Sequence, residues 1–344
     1  MVRKSTLPST KVLGIDLGAT KISAAVVAED GRVLSHAGRT LHRNEGPDEV
    51  IGDLIQVVHN HFGAGPPAGA IGVGVAGQVD KQTGVVRHAP NLRWKDVPLG
   101  ERLSSEFGCP VVVANDVRAA TVGEWRHGAG KGGTELLCLF IGTGIGGSVV
   151  TGGRLLEGAS NAFGEVGHSV LVSGGRPCHC PARGCLEAYV GGWAIAERAR
   201  ERVRSDPAGG LELRRRAGSV GAIDARTVGE AAHAGDPLAL EIMRETGDYL
   251  ASGVVGLVNS FNPERVLLGG GIIEGSPEVV DPVVARVRAE CQPPAAQAAK
   301  VLRVALGHDA TVVGAAELAR DRLIAPHASR RGREEARLAK GKRR

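Results

Sequence analysis

The sequence is poor in aromatic residues, which make up 3% of its 344 residues, and it lacks long apolar runs. The uncharged stretch 136–153 is long enough to raise the question of a transmembrane helix, but six of its residues are glycine. That content argues against a helix facing lipid. No apolar segment of the secretory type opens the chain. We therefore expect a cytoplasmic protein that does not bind a membrane.

Net positive charge is lacking outside one segment, although the net charge of the whole chain is +5. Residues 329–344 hold eight lysines and arginines against two glutamates, so the rest of the chain is close to neutral. We expect 324–344 to be a basic, disordered tail, because such segments lack apolar anchors. Weak anion binding by the tail is the alternative. A neutral body gives no reason to expect a nucleic-acid partner.

Cysteines are few, and their spacing separates them into two groups. Cys109, Cys138 and Cys291 stand alone and are expected to be buried thiols. The second group gives the pattern His-x9-Cys-x-Cys-x4-Cys, formed by His168, Cys178, Cys180 and Cys185. One imidazole and three thiolates complete a tetrahedral zinc set with no open position, which predicts a structural zinc site.

Two alternatives to that ligand set stay open at this point. His179 is a competing donor, although adjacent residues on an extended loop point in different directions. The three cysteines could also remain reduced without metal. A zinc-ribbon interaction protein is disfavoured, because ribbons use paired Cys-x-x-Cys knuckles that are absent here.

Glycine is abundant, with 51 residues, and it recurs in a repeated strand–turn–strand pattern over 12–27 and 136–151. Backbone amides can approach a phosphate chain closely only where glycine removes the side chain. No Walker loop is present. The repeat predicts two lobes built alike and a nucleotide cleft between them. Its candidate cofactor-binding residues are Asp16, Gly18, Thr20 and Lys21, then Gly142, Thr143, Gly144 and Gly146, and the later run Gly269, Gly270 and Gly271.

Within the first turn, Asp16 is placed to hold a hydrated Mg²⁺, while Thr20 and Lys21 could donate to phosphate oxygens. A second acidic position follows a later strand, at Asn115-Asp116. A carboxylate at a strand end can take the proton from an attacking hydroxyl, as phosphoryl transfer requires. The other interpretation of Asp116 is an ordinary helix N-cap.

Taken in order, these motifs resemble the ROK sugar kinases over roughly 11–323. The resemblance is carried by Asp16-Leu-Gly-Ala-Thr-Lys, Gly142-Thr-Gly-Ile-Gly-Gly, Glu165-Val-Gly-His168, Cys178-x-Cys180-x4-Cys185-Leu-Glu187 and Gly269-Gly-Gly271. It implies an α/β, two-lobed actin/hexokinase-like (ribonuclease H-like) ATPase fold with an interlobe cleft. Pro181 stands where the family usually has glycine, which alters the loop but removes no ligand.

The resemblance also implies ATP-dependent phosphorylation of glucose at the 6-hydroxyl, with Asp116 as general base. The residues implied to contact the sugar are Gly77, Asn91, Asn115, Asp116, Glu165, His168 and Glu187. His168 would serve twice, with one nitrogen on zinc and the other on the sugar. The implied cofactors are ATP, Mg²⁺ and structural Zn²⁺.

For the domains, we expect a small lobe at 1–117 completed by a helix at 311–323. A large lobe at 118–310 would carry a zinc loop at 165–187. We also expect the chain to form a homodimer or homotetramer. Other hexoses remain alternatives to glucose, namely N-acetylglucosamine, N-acetylmannosamine, mannose and fructose, and polyphosphate remains an alternative to ATP. A sugar-responsive transcriptional regulator of the same family is disfavoured, because ten residues precede the first strand where such members place a winged-helix domain.

Overall fold

The structure is a computed structural model that describes residues 11–42, 45–63 and 68–324. The predicted basic tail lies outside the described residues, apart from its first position. The described chain divides into two compact units. Unit 1 comprises 11–128 and 308–324, and unit 2 comprises 129–307. Each unit has its own hydrophobic core of aliphatic side chains.

Thirteen strands are found among the described residues. They are β1 Val12–Leu17, β2 Lys21–Val27, β3 Val33–Thr40, β4 Ala70–Val75, β5 Gln78–Val79, β6 Val86–Ala89, β7 Trp94–Val97, β8 Val111–Asn115, β9 Leu136–Ile141, β10 Ile145–Thr151, β11 Arg154–Leu155, β12 Arg265–Gly269 and β13 Lys300–Arg303.

The same residues form twelve α-helices. They are α1 Pro47–Phe62, α2 Leu99–Phe107, α3 Asp116–His127, α4 Glu187–Val190, α5 Gly192–Ser205, α6 Leu211–Ala217, α7 Ala225–His233, α8 Pro237–Phe261, α9 Gly271–Gly275, α10 Val280–Glu290, α11 Pro293–Ala298 and α12 at 310–324. The 3₁₀ turns are Pro90–Leu92, Val166–His168, Val220–Ala222, Pro277–Val279 and Gly307–Asp309.

Unit 1 is built on a five-stranded sheet in the order β3-β2-β1-β4-β8. The first three strands form the antiparallel meander that the sequence predicted, and β4 and β8 run parallel to β1. The central strands β1 and β4 are almost continuously buried, whereas β3 exposes most of its residues at the edge. Because β1, β4 and β8 are parallel, the C-terminal ends of β1 and β8 lie at the same end of the sheet, on either side of β4.

Unit 2 repeats this plan with the order β11-β10-β9-β12-β13. Strands β9, β10 and β11 are antiparallel, and β12 and β13 run parallel to β9. The prediction of two lobes built alike is therefore confirmed at the level of sheet topology. The uncharged stretch 136–153 forms β9 and β10 of this sheet. In the part of the chain that the structure describes, no helix has the length and apolar character needed to cross a bilayer.

The chain passes from unit 1 to unit 2 after Gly128, and not after residue 117 as the sequence suggested. Helix α3 is continuous and packs against α12 so closely that a β-carbon on Gly123 would lie 2.4 Å from the carbonyl oxygen of Ala310. A β-carbon on Gly314 would overlap the carbonyl of Ala119 in the same way. Glycine-mediated packing therefore keeps the whole of α3 with unit 1. The second crossing falls between 307 and 308, close to the expected 310.

Candidate functional site

Two carboxylates lie close together where strands β1 and β8 end. In the sheet, Asp16 is opposite Gly74 of β4, and the neighbouring Val75 is opposite Asn115, the residue before Asp116. The pKa of Asp16 is raised from its ordinary 3.8 to about 7, first by burial and then by the charge of Asp116, while Lys21 lowers it. A bound cation would relieve this repulsion and favour the ionised form. The predicted roles of Asp16 and Asp116 thus fall on adjacent side chains.

The helix cap at this place is Asn115, so the interpretation of Asp116 as the cap is wrong. Asn115 Oδ1 accepts from the backbone N–H of Arg118 at 3.1 Å, which is the geometry of an N-cap. Asp116 is the first helical residue, and its Oδ1 accepts from Val117 N and from Asn115 Nδ2, both at 2.9 Å. Its carboxylate therefore lies at the N-terminus of α3.

Gly77 joins this cluster through its carbonyl, which accepts from Asn115 Nδ2 at 3.3 Å. A β-carbon at this position would lie 2.7 Å from the carbonyl oxygen of His88 and from Cβ of Ala89, so the two segments touch directly. Asn91 follows in the exposed 3₁₀ turn Pro90–Leu92. The structure therefore groups Gly77, Asn115 and Asp116, and places Asn91 two residues from the contact with Gly77.

The first glycine turn connects β1 to β2 through Gly18–Thr20. Gly18 N donates to Lys21 O at 3.0 Å, and Leu41 N donates to Thr20 O at 2.8 Å. The side chains of Thr20 and Lys21 are exposed. They are accessible to a ligand beside Asp16, as the prediction required.

The second glycine turn connects β9 to β10 and packs against the segment 187–193. Gly142 N donates to Gly144 O at 2.9 Å, which closes the turn. Ile145 N donates to Glu187 Oε2 at 2.9 Å, and a β-carbon on Gly144 would lie 2.4 Å from that oxygen. A side chain at 144 would therefore force the Glu187 carboxylate to move. A β-carbon added at Gly142 would meet nothing within 4 Å, so this face of the turn is open to a ligand.

Glu187 was predicted as a sugar ligand, but the structure gives its carboxylate two protein partners as well. Oε2 accepts from Ile145 N, and Oε1 accepts from Trp193 Nε1 at 3.2 Å. The residue is buried, with 9% of its surface exposed. Each carboxylate oxygen can accept more than one hydrogen bond, so sugar binding is still compatible with these contacts. The supporting role of Glu187 was missed, since nothing in the sequence links it to the turn.

The third glycine run, 269–271, begins at the last residue of β12, and its positions also differ in whether they are packed or open. Gly270 has φ of 90°, a conformation that favours glycine, and its β-carbon would lie 2.5 Å from Ile141 O. A β-carbon on Gly269 would overlap Val304. Gly271 has open space and begins α9. Only the last of these three positions is open to a ligand.

The four predicted zinc ligands come together in unit 2. One potential ligand atom from each of His168, Cys178, Cys180 and Cys185 lies within 4.8 Å of all the others. His168 Nδ1 is 3.6 Å from Cys178 Sγ, and Cys180 Sγ is 3.6 Å from Cys185 Sγ. Tetrahedral ligands with Zn–S bonds of about 2.3 Å would be separated by about 3.8 Å. The spacing therefore fits a zinc ion.

The pKa values of the three thiols in this cluster are shifted in different directions. Burial raises the pKa of Cys178, and it raises that of Cys185 to about 12. A backbone hydrogen bond from Ala182 lowers the pKa of Cys180. Three neighbouring sulfurs cannot all ionise without a positive charge among them, and metal binding would supply it with release of protons.

His179 does not belong to the ligand cluster. Its ring stacks on the indole of Trp193, with centroids 3.9 Å apart and an interplanar angle of 19°. The preference for His168 over His179 is consistent with this geometry. Trp193 was not singled out from the sequence, because a lone tryptophan at a helix start has no distinguishing pattern.

Glu165 precedes the 3₁₀ turn Val166–His168 and His168 ends it, and the turn is anchored to β10. Gly147 N donates to Gly164 O at 3.1 Å, and a β-carbon on Gly147 would overlap Val166. Glu165 is exposed, and His168 directs Nδ1 towards Cys178. The second imidazole nitrogen of His168 is therefore the one left for a ligand other than the metal.

Comparison with known proteins gives concordant matches over nearly the whole chain. A family model described as "ROK family" matches residues 12–322. A glucokinase of Thermotoga maritima is 35% identical over 92% of this chain and 99% of its own length. A glucokinase of Streptomyces coelicolor is 34% identical over 90% of this chain and 97% of its own. The crystal structure of a ROK glucokinase from Streptomyces griseus, in complex with glucose and AMPPNP, matches with a TM-score of 0.78 and 34% identity, covering 90% of this chain and 99% of that one.

Proposed function

The chain belongs to the ROK family and has its α/β actin/hexokinase-like fold, and from that premise we propose that it is an ATP-dependent glucokinase. The reaction transfers the γ-phosphoryl group of ATP to the 6-hydroxyl of glucose. The proposal rests mainly on one observation, which is that Asp116 and Asp16 lie close together at one end of the sheet of unit 1. It is supported by the similarity of the chain to glucokinases over nearly its whole length.

Asp116 is the general base of the proposed reaction. Its carboxylate takes the proton of the 6-hydroxyl as the hydroxyl oxygen forms a bond to the γ-phosphorus, and the bond from that phosphorus to the β–γ bridging oxygen breaks to release ADP. Hydrogen bonds from Val117 N and Asn115 Nδ2 fix the orientation of Oδ1. A fixed carboxylate loses little entropy when it meets the hydroxyl, which is how positioning contributes to rate.

Asp16 is assigned to the magnesium ion that accompanies ATP. When bound there, Mg²⁺ would neutralise phosphate charge. The raised pKa of Asp16 fits this assignment, because two neighbouring carboxylates form a site that a divalent cation stabilises. Thr20 and Lys21 are the proposed donors to phosphate oxygens from the same turn. The proposed donors of the other unit come from Gly142, Thr143, Gly144 and Gly146 and from the run Gly269–Gly271.

The cluster of three cysteines and His168 is proposed to hold a structural zinc ion. Four protein ligands leave no position for substrate, so the metal would order the loop and not take part in the reaction. Zinc bound through Nδ1 of His168 would fix the ring and the Glu165 turn beside it, which is how metal ligation supports residues around the metal.

Sugar recognition is proposed to involve Gly77, Asn91, Asn115, Glu165, His168 and Glu187 in addition to Asp116. These groups address hydroxyls that most hexoses share, so glucose is proposed on the strength of the glucokinase relatives. The homodimer or homotetramer expected from the sequence stays a prediction.

The test of the proposed function is a coupled phosphorylation assay with ATP or polyphosphate as donor and a panel of hexoses as acceptors. The panel contains glucose, mannose, fructose, N-acetylglucosamine and N-acetylmannosamine. We expect the highest kcat/KM for ATP with glucose. A preference for another hexose would correct the substrate, and the absence of phosphoryl transfer to any hexose would overturn the kinase proposal.

A further inference from the structure

The second glycine turn is held in place by one short segment that directly follows the cysteine cluster. Besides the contact of Ile145 N with Glu187, Gly192 N donates to Gly142 O at 2.9 Å and Trp193 N donates to Thr143 O at 3.2 Å. Two carbonyl groups of the turn and the amide that follows it therefore form hydrogen bonds with residues 187–193. The conformation of the turn depends on the position of that segment.

Trp193 is the residue that connects the turn to the cysteine cluster. Its backbone N–H binds Thr143, its indole N–H binds Glu187, and its ring stacks on His179. His179 lies between Cys178 and Cys180, so its position is set by the two ligands on either side. The indole is thus bound at its backbone, its N–H edge and one face.

We propose that His179 is a positioning residue for nucleotide binding, which fixes the 142–145 turn by stacking on Trp193. The inference rests on the proposed function, in which this turn contacts ATP. It assigns a role to the one histidine of the cysteine segment that the zinc set leaves unused. The effect expected from this contact is on nucleotide affinity, because the bonds from 187–193 end on the glycine turn.

The contact is strong enough to measure and too weak to decide whether unit 2 folds. An aromatic stack of this kind contributes roughly 0.5–1.5 kcal/mol, and the middle of that range corresponds to about a three- to tenfold change in a dissociation constant. The exposed position of His179 means that its removal opens no cavity in the core. Loss of the ring should therefore loosen Trp193 and the turn without unfolding the protein.

The experiment compares four full-length proteins: the wild type, His179→Ala, His179→Phe and Trp193→Phe. Dissociation constants for magnesium with AMPPNP and, separately, for glucose are measured by calorimetry, with zinc content determined on each sample. His233→Ala, which removes an exposed histidine on α7 of the same unit, is the matched control.

We expect His179→Ala to weaken AMPPNP binding by about three- to tenfold, with zinc content unchanged and glucose binding within about twofold. His179→Phe keeps an aromatic face for the stack and should restore AMPPNP binding to within about twofold of the wild type. Trp193→Phe keeps a ring for His179 but removes the bond to Glu187, so it should also weaken AMPPNP binding.

The inference is overturned if His179→Ala binds AMPPNP as the wild type does, whatever the affinity of Trp193→Phe. Loss of zinc in His179→Ala would overturn it as well, because the imidazole would then act on the metal. Equal weakening of glucose and AMPPNP, without rescue by phenylalanine, would indicate a general structural role and would also contradict it. A wild-type protein that holds zinc but binds no AMPPNP would instead refute the proposed function.

Discussion

The two sheets of this protein have the same strand order but carry different groups where their strands end. The penultimate residue of β1 is Asp16, whereas the penultimate residue of β9 is Phe140. The outer parallel strand of unit 1, β8, ends at Asn115 and continues into Asp116, whereas β13 of unit 2 continues into Val304. The ionisable groups of the proposed reaction are therefore concentrated in unit 1.

Unit 2 contributes a different kind of chemistry from the same topology. Its turn has no carboxylate of its own and instead rests on Glu187, which is brought by the segment after the cysteine cluster. The shared topology therefore determines where ligands can approach each unit. A few residues at the strand ends determine the chemical role of that unit. On the proposed function, unit 1 supplies proton transfer and cation binding, and unit 2 supplies backbone donors on a metal-ordered support.

The largest expected effect comes from removing the base of unit 1. Asp116→Asn keeps the shape and the acceptor for Val117 N but cannot take a proton, so kcat should fall by about 10³-fold or more. Calorimetry should show glucose affinity within a few-fold of the wild type. Asp30→Asn, an exposed aspartate of the same unit, is the control and should leave kcat unchanged. A variant that retains a tenth of the wild-type rate would remove Asp116 as the base.

The next largest effect concerns the stability of unit 1 and how it depends on pH. The pKa of Asp16 is about 7 in the folded protein against an ordinary 3.8, so the folded state binds more protons than the unfolded state between these values. Stability should therefore fall as pH rises from about 4 to about 7, by up to about 4 kcal/mol, and then level off. Asp16→Asn should remove this dependence and be more stable than the wild type at pH 8.

Chemical denaturation of both proteins at pH 5 and pH 8, without magnesium, measures the Asp16 effect. The gap between variant and wild type should widen towards pH 8. Equal gaps at the two pH values would show that Asp16 does not hold a proton in the folded protein.

The third effect comes from loss of the zinc ion that is proposed to order the loop of unit 2. Native protein should contain about one zinc per chain, and Cys180→Ser should lose it, because the cluster would fall to three ligands. Glucose affinity should then drop by about 10- to 100-fold, as is typical when groups that orient a site are lost. Cys291→Ala, a buried cysteine of the same unit outside the cluster, should keep the metal. Metal analysis that finds no zinc in native protein would refute the assignment.

The sequence predicted the features that recur or that depend on spacing. Repeated strand–glycine–strand segments predicted the paired sheets, and the cysteine spacing predicted a cluster that the structure brings together. Helix α6 carries no such signal. It has seven residues and buries a single leucine, Leu213, so it has no apolar periodicity to detect.

Roles that depend on tertiary contacts could not be predicted in this way. Asn115 and Asp116 are equally good cap residues by type, and only the direction in which the chain enters α3 makes Asn115 the cap. The bond from Ile145 to Glu187 joins residues 42 apart in sequence. Such pairings are set by packing between elements, and a single sequence does not record them.

The smallest expected effect separates two uses of glycine within the turn of unit 2. Gly144→Ala would place a β-carbon 2.4 Å from Glu187 Oε2, whereas Gly142→Ala points into open space. Neither residue has a positive φ, so alanine adds no backbone strain at either position. We expect Gly144→Ala to lower the free energy of unfolding by about 1–3 kcal/mol, because overpacking displaces a buried carboxylate. Gly142→Ala should change it by less than about 0.5 kcal/mol.

The two alanine variants form a matched pair, since they differ by one methyl position in a single turn. Denaturant unfolding measures stability, and calorimetry with AMPPNP measures nucleotide affinity. If phosphate approaches the open face, Gly142→Ala should weaken AMPPNP binding at unchanged stability, because the new methyl group occupies the path of the ligand. Gly144→Ala should lower both quantities. Unchanged AMPPNP binding in Gly142→Ala would show that phosphate does not approach the open face of the turn. The turn would then have the structure of a phosphate site without binding phosphate.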